Sequence, residues 1–242
     1  MIIETFPVGW LQCNCTILGD ELTRDALIID PGGDPEEILM RLAKHGLTPK
    51  QIVCTHTHID HVGAICELQE KMQTPAAIHK SDLFLFEKLD LQAQWIGMPM
   101  PKRGAIDQFV QDGDAIACRG IEMGVIHTPG HTPGSTSFHL AGNRNILFTG
   151  DTLFAQSIGR TDLWGGSHPE IINSIQKKLM AFDDPAPDEE KLTAWAAFHL
   201  SALVEAGIGR ALWLNLGRAY LRWWEAQVSE KRRQSATRKQ TP

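Results

Sequence analysis

The sequence predicts an α/β protein built as a layered sandwich, with strands packed inside and helices outside. Three observations predict it. The chain opens with three short β-rich segments at residues 1–7, 13–18 and 26–29. Amphipathic helical stretches at 35–45 and 62–72 then alternate with strand-like runs at 51–55 and 76–79. A second group of strands comes next, at 115–118, 121–127, 135–140 and 145–149, closed by a helix at 169–179.

Each element has a local reason. Gly19-Asp20 and Asp30-Pro31-Gly32-Gly33-Asp34 are turn sequences that end the second and third strands. In 35–45, Ile38, Leu39, Leu42 and Ala43 share one helical face, and Gly46 stops the helix. In 62–72, Val62, Ile65, Leu68 and Met72 share a side. Residues 81–107 are harder to place: a short helix is expected at 82–89, then an apolar, proline-containing loop at 95–101 that could serve as a lid, a packed surface loop or a dimer contact.

Composition narrows the function classes. Hydrophobic residues are 43% of the 242-residue chain and charged residues 21%, which excludes disorder as the dominant state. No run of about 18 apolar residues is present, so no membrane-spanning helix is expected. The start, Met1-Ile2-Ile3-Glu4, has no basic region before an apolar stretch, so no secretory signal is read there. Five cysteines do not make a disulfide scaffold at this length, and a cytoplasmic location is expected. A formal net charge of −6 gives no reason to expect nucleic acid as a partner.

The last quarter differs. From Glu189 onward there are nine Lys/Arg against five Asp/Glu, and Trp195, Trp213, Trp223 and Trp224 all fall there. Pro185-Ala186-Pro187-Asp188 punctuates the change. Two units are therefore expected: 1–184, and a helical, Trp-rich, basic tail over 185–242.

The chemistry concentrates in Thr55-His56-Thr57-His58-Ile59-Asp60-His61, where a strand gives way to a helix. His56 and His58 are two apart, so an extended backbone points both to one side. Asp60 and His61 fall on the first helical turn and can face back toward them. Neutral imidazole and carboxylate suit zinc, iron or manganese. The bland alternative is a polar turn that happens to be histidine-rich. Two later segments argue against it. His127-Thr128-Pro129-Gly130-His131-Thr132-Pro133-Gly134-Ser135 comes after a strand and forms a tight loop expected to present His131 outward. In Phe148-Thr149-Gly150-Asp151-Thr152-Leu153-Phe154 an apolar strand runs into glycine and leaves Asp151 at its end, where a carboxylate can bridge two cations.

With these motifs in view, the chain resembles metallo-β-lactamase-fold hydrolases, close to the glyoxalase II (hydroxyacylglutathione hydrolase) branch. The resemblance also includes Ile158-Gly159-Arg160-Thr161-Asp162 and Gly165-Gly166-Ser167, and covers residues 1–184. It implies a four-layer αββα sandwich with a dinuclear site. His56, His58 and His131 would bind one ion, Asp60 and His61 the other, and Asp151 would bridge them, with water or hydroxide between the ions as nucleophile. Asp60 would act on that water if the second ion were absent. The implied cofactor is zinc, one or two ions, with iron or manganese as alternatives. The implied substrate is a small thioester such as S-lactoylglutathione, or an ester. Arg160 is a candidate contact for an anionic substrate, the alternative being a salt bridge with Asp162.

The other histidines read as structural: His127 as a packing or supporting residue, His139 on a strand, His168 near a helix start, His45 and His79 at the surface. Cys54 reads as a small buried hydrophobe, and Cys13-x-Cys15 lacks the partner pair a structural zinc site needs. The resemblance stops after the last helix. Relatives carry a P-G-H-G-P-like loop there whose histidine completes the second site; here the single later histidine is His199, in an apolar helical stretch. The second site is thus expected to be only partly occupied. The tail admits three readings: a helical extension packing on the core or forming a homodimer, an interfacial helix, or the product of a shifted reading frame. Two further functions stay open on the same fold, a mononuclear-iron persulfide dioxygenase and a non-catalytic binding scaffold.

Overall fold

The computed structural model describes residues 1–142, 146–155 and 157–180, and the 185–242 tail with its expected helices lies outside them. Among the described residues ten strands form two sheets. Ile2–Val8 (β1), Cys13–Gly19 (β2), Asp25–Ile29 (β3), Thr48–Val53 (β4), Ala76–His79 (β5) and Gln108–Val110 (β6) pair in sequence order. Ala115–Cys118 (β7), Ile121–His127 (β8), Thr136–Leu140 (β9) and Ile146–Phe148 (β10) make the second sheet, in the order β10-β9-β8-β7.

The two sheets face each other through one core. Leu18, Leu27, Ile29, Val53 and Ala77 of the first meet Ile121, Met123, Val125, Phe138 and Leu140 of the second. β8 shows why: its residues alternate buried and exposed, as a strand with one covered face must. β2 and β3 are buried on nearly every residue, because helices cover the first sheet's other face. Those helices are Pro35–His45 (α1), Ile59–Val62 (α2), Ile65–Met72 (α3), Leu83–Phe86 (α4) and Leu89–Ile96 (α5). Ile38, Leu42, Ile65, Leu68, Phe86 and Leu89 pack with Ile17, Ile28 and Ile52 beneath them. His168–Ser174 (α6), continued by a π-type turn over Ile175–Leu179, covers the second sheet through Ile171, Ile175 and Leu179 against Leu147 and Leu153. The result is helices, sheet, sheet, helix, the αββα order of the metallo-β-lactamase fold. Among the described residues no helix is long and apolar enough to cross a membrane.

Several sequence expectations need correction. The single helix expected over 62–72 is two, because Ala64 turns its amide to Pro31 O (2.9 Å). The close approach there is made by Gly32, where a Cβ would lie 1.4 Å from the Asp60 carbonyl. Residues 95 and 96 belong to the end of α5 rather than to a loop, since Leu89, Gln92 and Ala93 form a buried stripe. β6 has no counterpart among the expected strands; its three residues are too few to show alternation, and only pairing with β5 makes them a strand.

The topology decides where polar groups can gather. β3, β4, β5 and β6 run parallel, so the chain leaves β3, β4 and β5 at one edge of the sheet, where the polar loops of α/β folds collect. Asp82, three residues past β5, stitches those loops together. Its carboxylate accepts from Thr57 N (3.1 Å), Thr132 Oγ1 (2.8 Å) and Gly134 N (2.6 Å). It thus joins the His56–His61 segment to the His131 loop. Burial pushes the Asp82 carboxyl up to about 6, against these hydrogen bonds, which favour the anion.

Asp82→Asn tests this stitch. Its amide NH2 must face one of the three donors, leaving a buried mismatch, and the variant should lose about 1–3 kcal/mol in denaturant unfolding at pH 7. Wild-type Asp82 is protonated in the fold below about pH 6 but not in the unfolded chain until about pH 3.8, so the wild type alone gains stability as pH falls through that window. The deficit of the variant should therefore widen between pH 6 and pH 4; a constant deficit would show that Asp82 does not titrate there.

Candidate metal centre

The strand-to-helix turn after β4 holds His56, His58 and His61, each at most 7% exposed. The loop after β8 brings His131 and the turn after β10 brings Asp151 to the same place. Contrary to the sequence expectation, His131 does not face outward: it is 2% exposed and points into the cluster. One ligand atom from each of His56, His58 and His131 lies within 4.8 Å of the others, and the same holds for His56, His61 and Asp151. His131 Nε2 is 3.2 Å from His56 Nε2 and 2.9 Å from His58 Nδ1. His61 Nε2 is 3.6 Å from Asp60 Oδ2 and 3.5 Å from Asp151 Oδ1, and His131 Nε2 is 3.6 Å from Asp151 Oδ2. All six side chains singled out in the sequence, from three separate stretches, are thus brought together.

Hydrogen bonds fix where the ring protons sit. His131 Nδ1 is 2.7 Å from the Arg160 carbonyl, which can only accept, so Nδ1 carries the proton and Nε2 a lone pair. The Thr55 hydroxyl donates its one proton to Asp30 Oδ2 (2.7 Å) and so accepts from His56 Nδ1 (3.1 Å). His56 Nε2 is therefore also a lone pair. Two lone pairs face each other across 3.2 Å, and His58 turns a third ring nitrogen toward them while its Nε2 is buried without a partner. The facing lone pairs of His56 and His131 repel each other, and a cation among the nitrogens would remove that repulsion. The ring environment agrees: burial, reinforced by the neighbouring histidines, holds the His56 pKa well below normal and lowers that of His58 to about 3. Burial likewise lowers His131. All three are kept neutral, as metal ligands must be.

The second group carries the opposite field. Burial works against charge on His61, but Cys13, Asp30 and Asp151 beside it outweigh burial and hold its pKa well above normal. Burial raises Asp60, whereas at Asp151 the histidines overcome burial and lower it. A positive charge is stabilised between these carboxylates, and a divalent ion answers the same field. The residues present fit a metal on both counts, with nitrogen donors in the first group and mixed nitrogen and oxygen donors in the second.

Three supporting residues were not singled out in the sequence. Asp30, 2% exposed at φ 52°, accepts from Thr55 N (2.7 Å) and Thr55 Oγ1 and holds His61 Nδ1 at 3.0 Å. Its signal was present: a carboxylate directly after the all-apolar end of β3, at the edge where β4 delivers the histidines. Gln92 accepts from Ile59 N (2.9 Å) and donates to Thr57 O (3.2 Å), bracing the histidine turn from α5. Asp82 is the third. Gly159 is needed for packing, since a Cβ there would lie 1.7 Å from Asp151 O and 3.0 Å from His131 Nδ1.

The remaining sequence candidates fall into place. Arg160 is exposed and makes a two-pronged ion pair with Asp162, both contacts at 2.8 Å. His127 Nε2 donates to Pro133 O (2.9 Å), inside the loop that carries His131. His79 is not simply a surface residue: it stacks on His127 at 4.1 Å, and burial lowers its pKa to about 4. His45 is partly buried against Glu4 at 2.8 Å. Cys54 is fully buried and Cys13 Sγ lies 3.4 Å from His61 Nδ1.

Known proteins share this architecture. The hydroxyacylglutathione hydrolase GloC of Haemophilus influenzae is 38% identical over 186 residues, 76% of this chain and 87% of its own. Among solved structures, the BLEG-1 B3 metallo-β-lactamase superposes with a TM-score of 0.70 at 33% identity, covering 76% of this chain and 88% of that one. TTHA1623 in a di-iron-bound form gives a TM-score of 0.65 at 33% identity, covering 74% and 87%. The family model of the metallo-β-lactamase superfamily matches residues 8–195, and with the αββα layers and the clustered His/Asp groups beneath that match, the chain belongs to this superfamily.

Proposed function

We propose that the chain is a metal-dependent hydrolase of small thioesters or esters, of the hydroxyacylglutathione hydrolase kind. The observation that carries the reading is the set of three neutral imidazoles with converging ring nitrogens, those of His56 and His131 being lone pairs, beside a carboxylate group of opposite field. The 38% identity to GloC supports the thioester as substrate class. His56, His58 and His131 would hold the first ion, and Asp60, His61 and Asp151 the second, with Asp151 reaching both groups. When bound, zinc, or iron or manganese with the same donors, would polarise the substrate carbonyl and acidify a water molecule.

The chain's own residues do the rest. Where the second ion is absent, the Asp60 carboxylate takes a proton from the attacking water. The water oxygen bonds to the carbonyl carbon, the carbon–sulfur bond breaks, and the thiol sulfur leaves with the electron pair. The proton passes from Asp60 to solvent or to the departing thiolate, giving a carboxylic acid and a thiol. Arg160 exchanges Asp162 for an anionic group of the substrate. A cytoplasmic location, and a homodimer through the tail, belong to the same proposal.

Metal analysis of the full chain should find one firmly held ion and less than one equivalent of a second. His131→Ala should remove the firmly held ion and lower the melting temperature of metal-loaded protein toward that of chelator-treated wild type. Two tightly held ions, or a metal content indifferent to His131→Ala, would contradict the assignment. On an anionic thioester, Asp60→Asn should lower kcat about 100-fold or more with little change in KM. Arg160→Ala should raise KM about tenfold with kcat nearly kept. Oxygen uptake with a persulfide in iron-loaded protein, without thioester turnover, would replace hydrolysis by redox chemistry.

A further inference from the structure

Beside the cluster lies an aromatic surface that the proposed chemistry leaves unused. Trp95, at the end of α5, is 56% exposed, and Trp164, in the loop after Arg160, is 42% exposed. Their rings meet edge to face at 5.8 Å. Phe84, Leu91 and the stem of Lys88 join Trp164 around a recess of about 100 Å³ floored by Leu85. Apolar groups gathered in this way cost free energy in water unless something covers them.

The position of this surface identifies what covers it. The loop from Gly159 to Gly166 connects it directly to the candidate metal centre. At one end the Arg160 carbonyl accepts from His131 Nδ1. At the other, a Cβ on Gly165 would lie 2.5 Å from Pro133 in the His131 loop and 3.5 Å from Phe84. Between them the Arg160 guanidinium lies 5.8 Å over the Trp95 ring. On the other side α5 is pinned to the histidine turn by Gln92, one helical turn before Trp95. A substrate with its anionic group on Arg160 would bring a neighbouring substituent toward Trp95, whose ring lies 5.8 Å from that guanidinium.

We propose that Trp95 and Trp164, with Phe84 and Leu91, form the specificity wall of this site. The preferred substrates carry an apolar branched or ring group of about phenyl size near their anionic group, rather than a small polar acyl chain alone. This rests on the hydrolase reading above. The recess, about 100 Å³, is smaller than a benzene-binding cavity of about 150 Å³, so a ring enters it in part and stacks on Trp164 for the rest.

The test uses the full metal-loaded chain and thioesters of one anionic thiol, 3-mercaptopropionate, with acetyl or phenylacetyl groups. A second pair places the ring on the thiol: S-acetyl derivatives of 2-mercapto-3-phenylpropionate and of 2-mercaptopropionate. Wild type should favour the aromatic member of at least one pair by about tenfold or more in kcat/KM. Trp164→Ala should bring that ratio below about threefold, while Trp164→Phe should keep most of it. In parallel, ligand-observed NMR should detect phenylacetate but not acetate on wild type, and not on Trp164→Ala with an unchanged circular dichroism spectrum. Equal rates within both wild-type pairs, or a preference untouched by Trp164→Ala, overturns the wall. If no thioester turns over, the hydrolase reading fails and NMR decides the wall: phenylacetate binding that needs Trp164 upholds it, and binding that does not need Trp164, or no binding, overturns it.

Discussion

The buried carboxylate of Asp30 is the constraint on which the rest of the site depends. It takes the single hydroxyl proton of Thr55, which obliges Thr55 to accept from His56 and so turns the His56 lone pair inward. Its Oδ2 also faces His61 Nδ1 and orients that ring toward Asp60 and Asp151. One side chain therefore sets the proton position of a histidine in the first group and the direction of a histidine in the second. A buried carboxylate is costly unless it is well paired, and here the backbone amide of Thr55 adds the third partner. The left-handed backbone of Asp30, unusual for a residue other than glycine, comes from bending the chain sharply enough off β3 to aim that carboxylate back under the histidines.

The two groups differ because their supports differ. His56, His58 and His131 are surrounded by one another and by burial, so they stay neutral and turn ring nitrogens toward one another. His61 is set among carboxylates and the Cys13 thiol, and there a positive charge is favoured. The first group holds a cation by coordination and the second by field as much as by donors. Loss of one donor should thus weaken the second more than the first, since fewer nitrogen atoms compensate there.

Range decides what the sequence made legible. His56, His58, Asp60 and His61 sit within six residues, where strand and helix periodicity alone determine which way side chains point. His131 and Asp151 were legible because each ends a strand on a glycine-containing turn. Asp30, Asp82 and Gln92 were not, because their roles exist only once separate strands and helices lie side by side. Asp30 reads locally as the first residue of a turn, Asp82 as a helix start and Gln92 as a polar residue between the 82–89 helix and the 95–101 loop. The same limit explains the strands and helices. Long amphipathic α1 was read with its boundaries intact, whereas the three-residue β6 and the α5 stripe acquire their identity from β5 and from the histidine turn beneath them.

The loop from Gly159 to Gly166 joins these two kinds of information. Its backbone is committed to the metal centre: Gly159 fits against Asp151 because it lacks a side chain, and the Arg160 carbonyl fixes the tautomer of His131. Its side chains are not so committed. Among the described residues, the Arg160 guanidinium pairs with exposed Asp162 and lies over Trp95, and Trp164 meets Trp95 edge to face. Backbone atoms therefore hold the chemistry while side chains on the same residues face outward toward whatever approaches. In such a loop a change of substrate preference needs no change in the metal ligands, because exchanging the Trp164 side chain leaves the carbonyl of Arg160 where His131 requires it. The converse does not hold: a side chain added at Gly159 moves Asp151 and His131 together, and with them the groups on which either kind of substrate would depend.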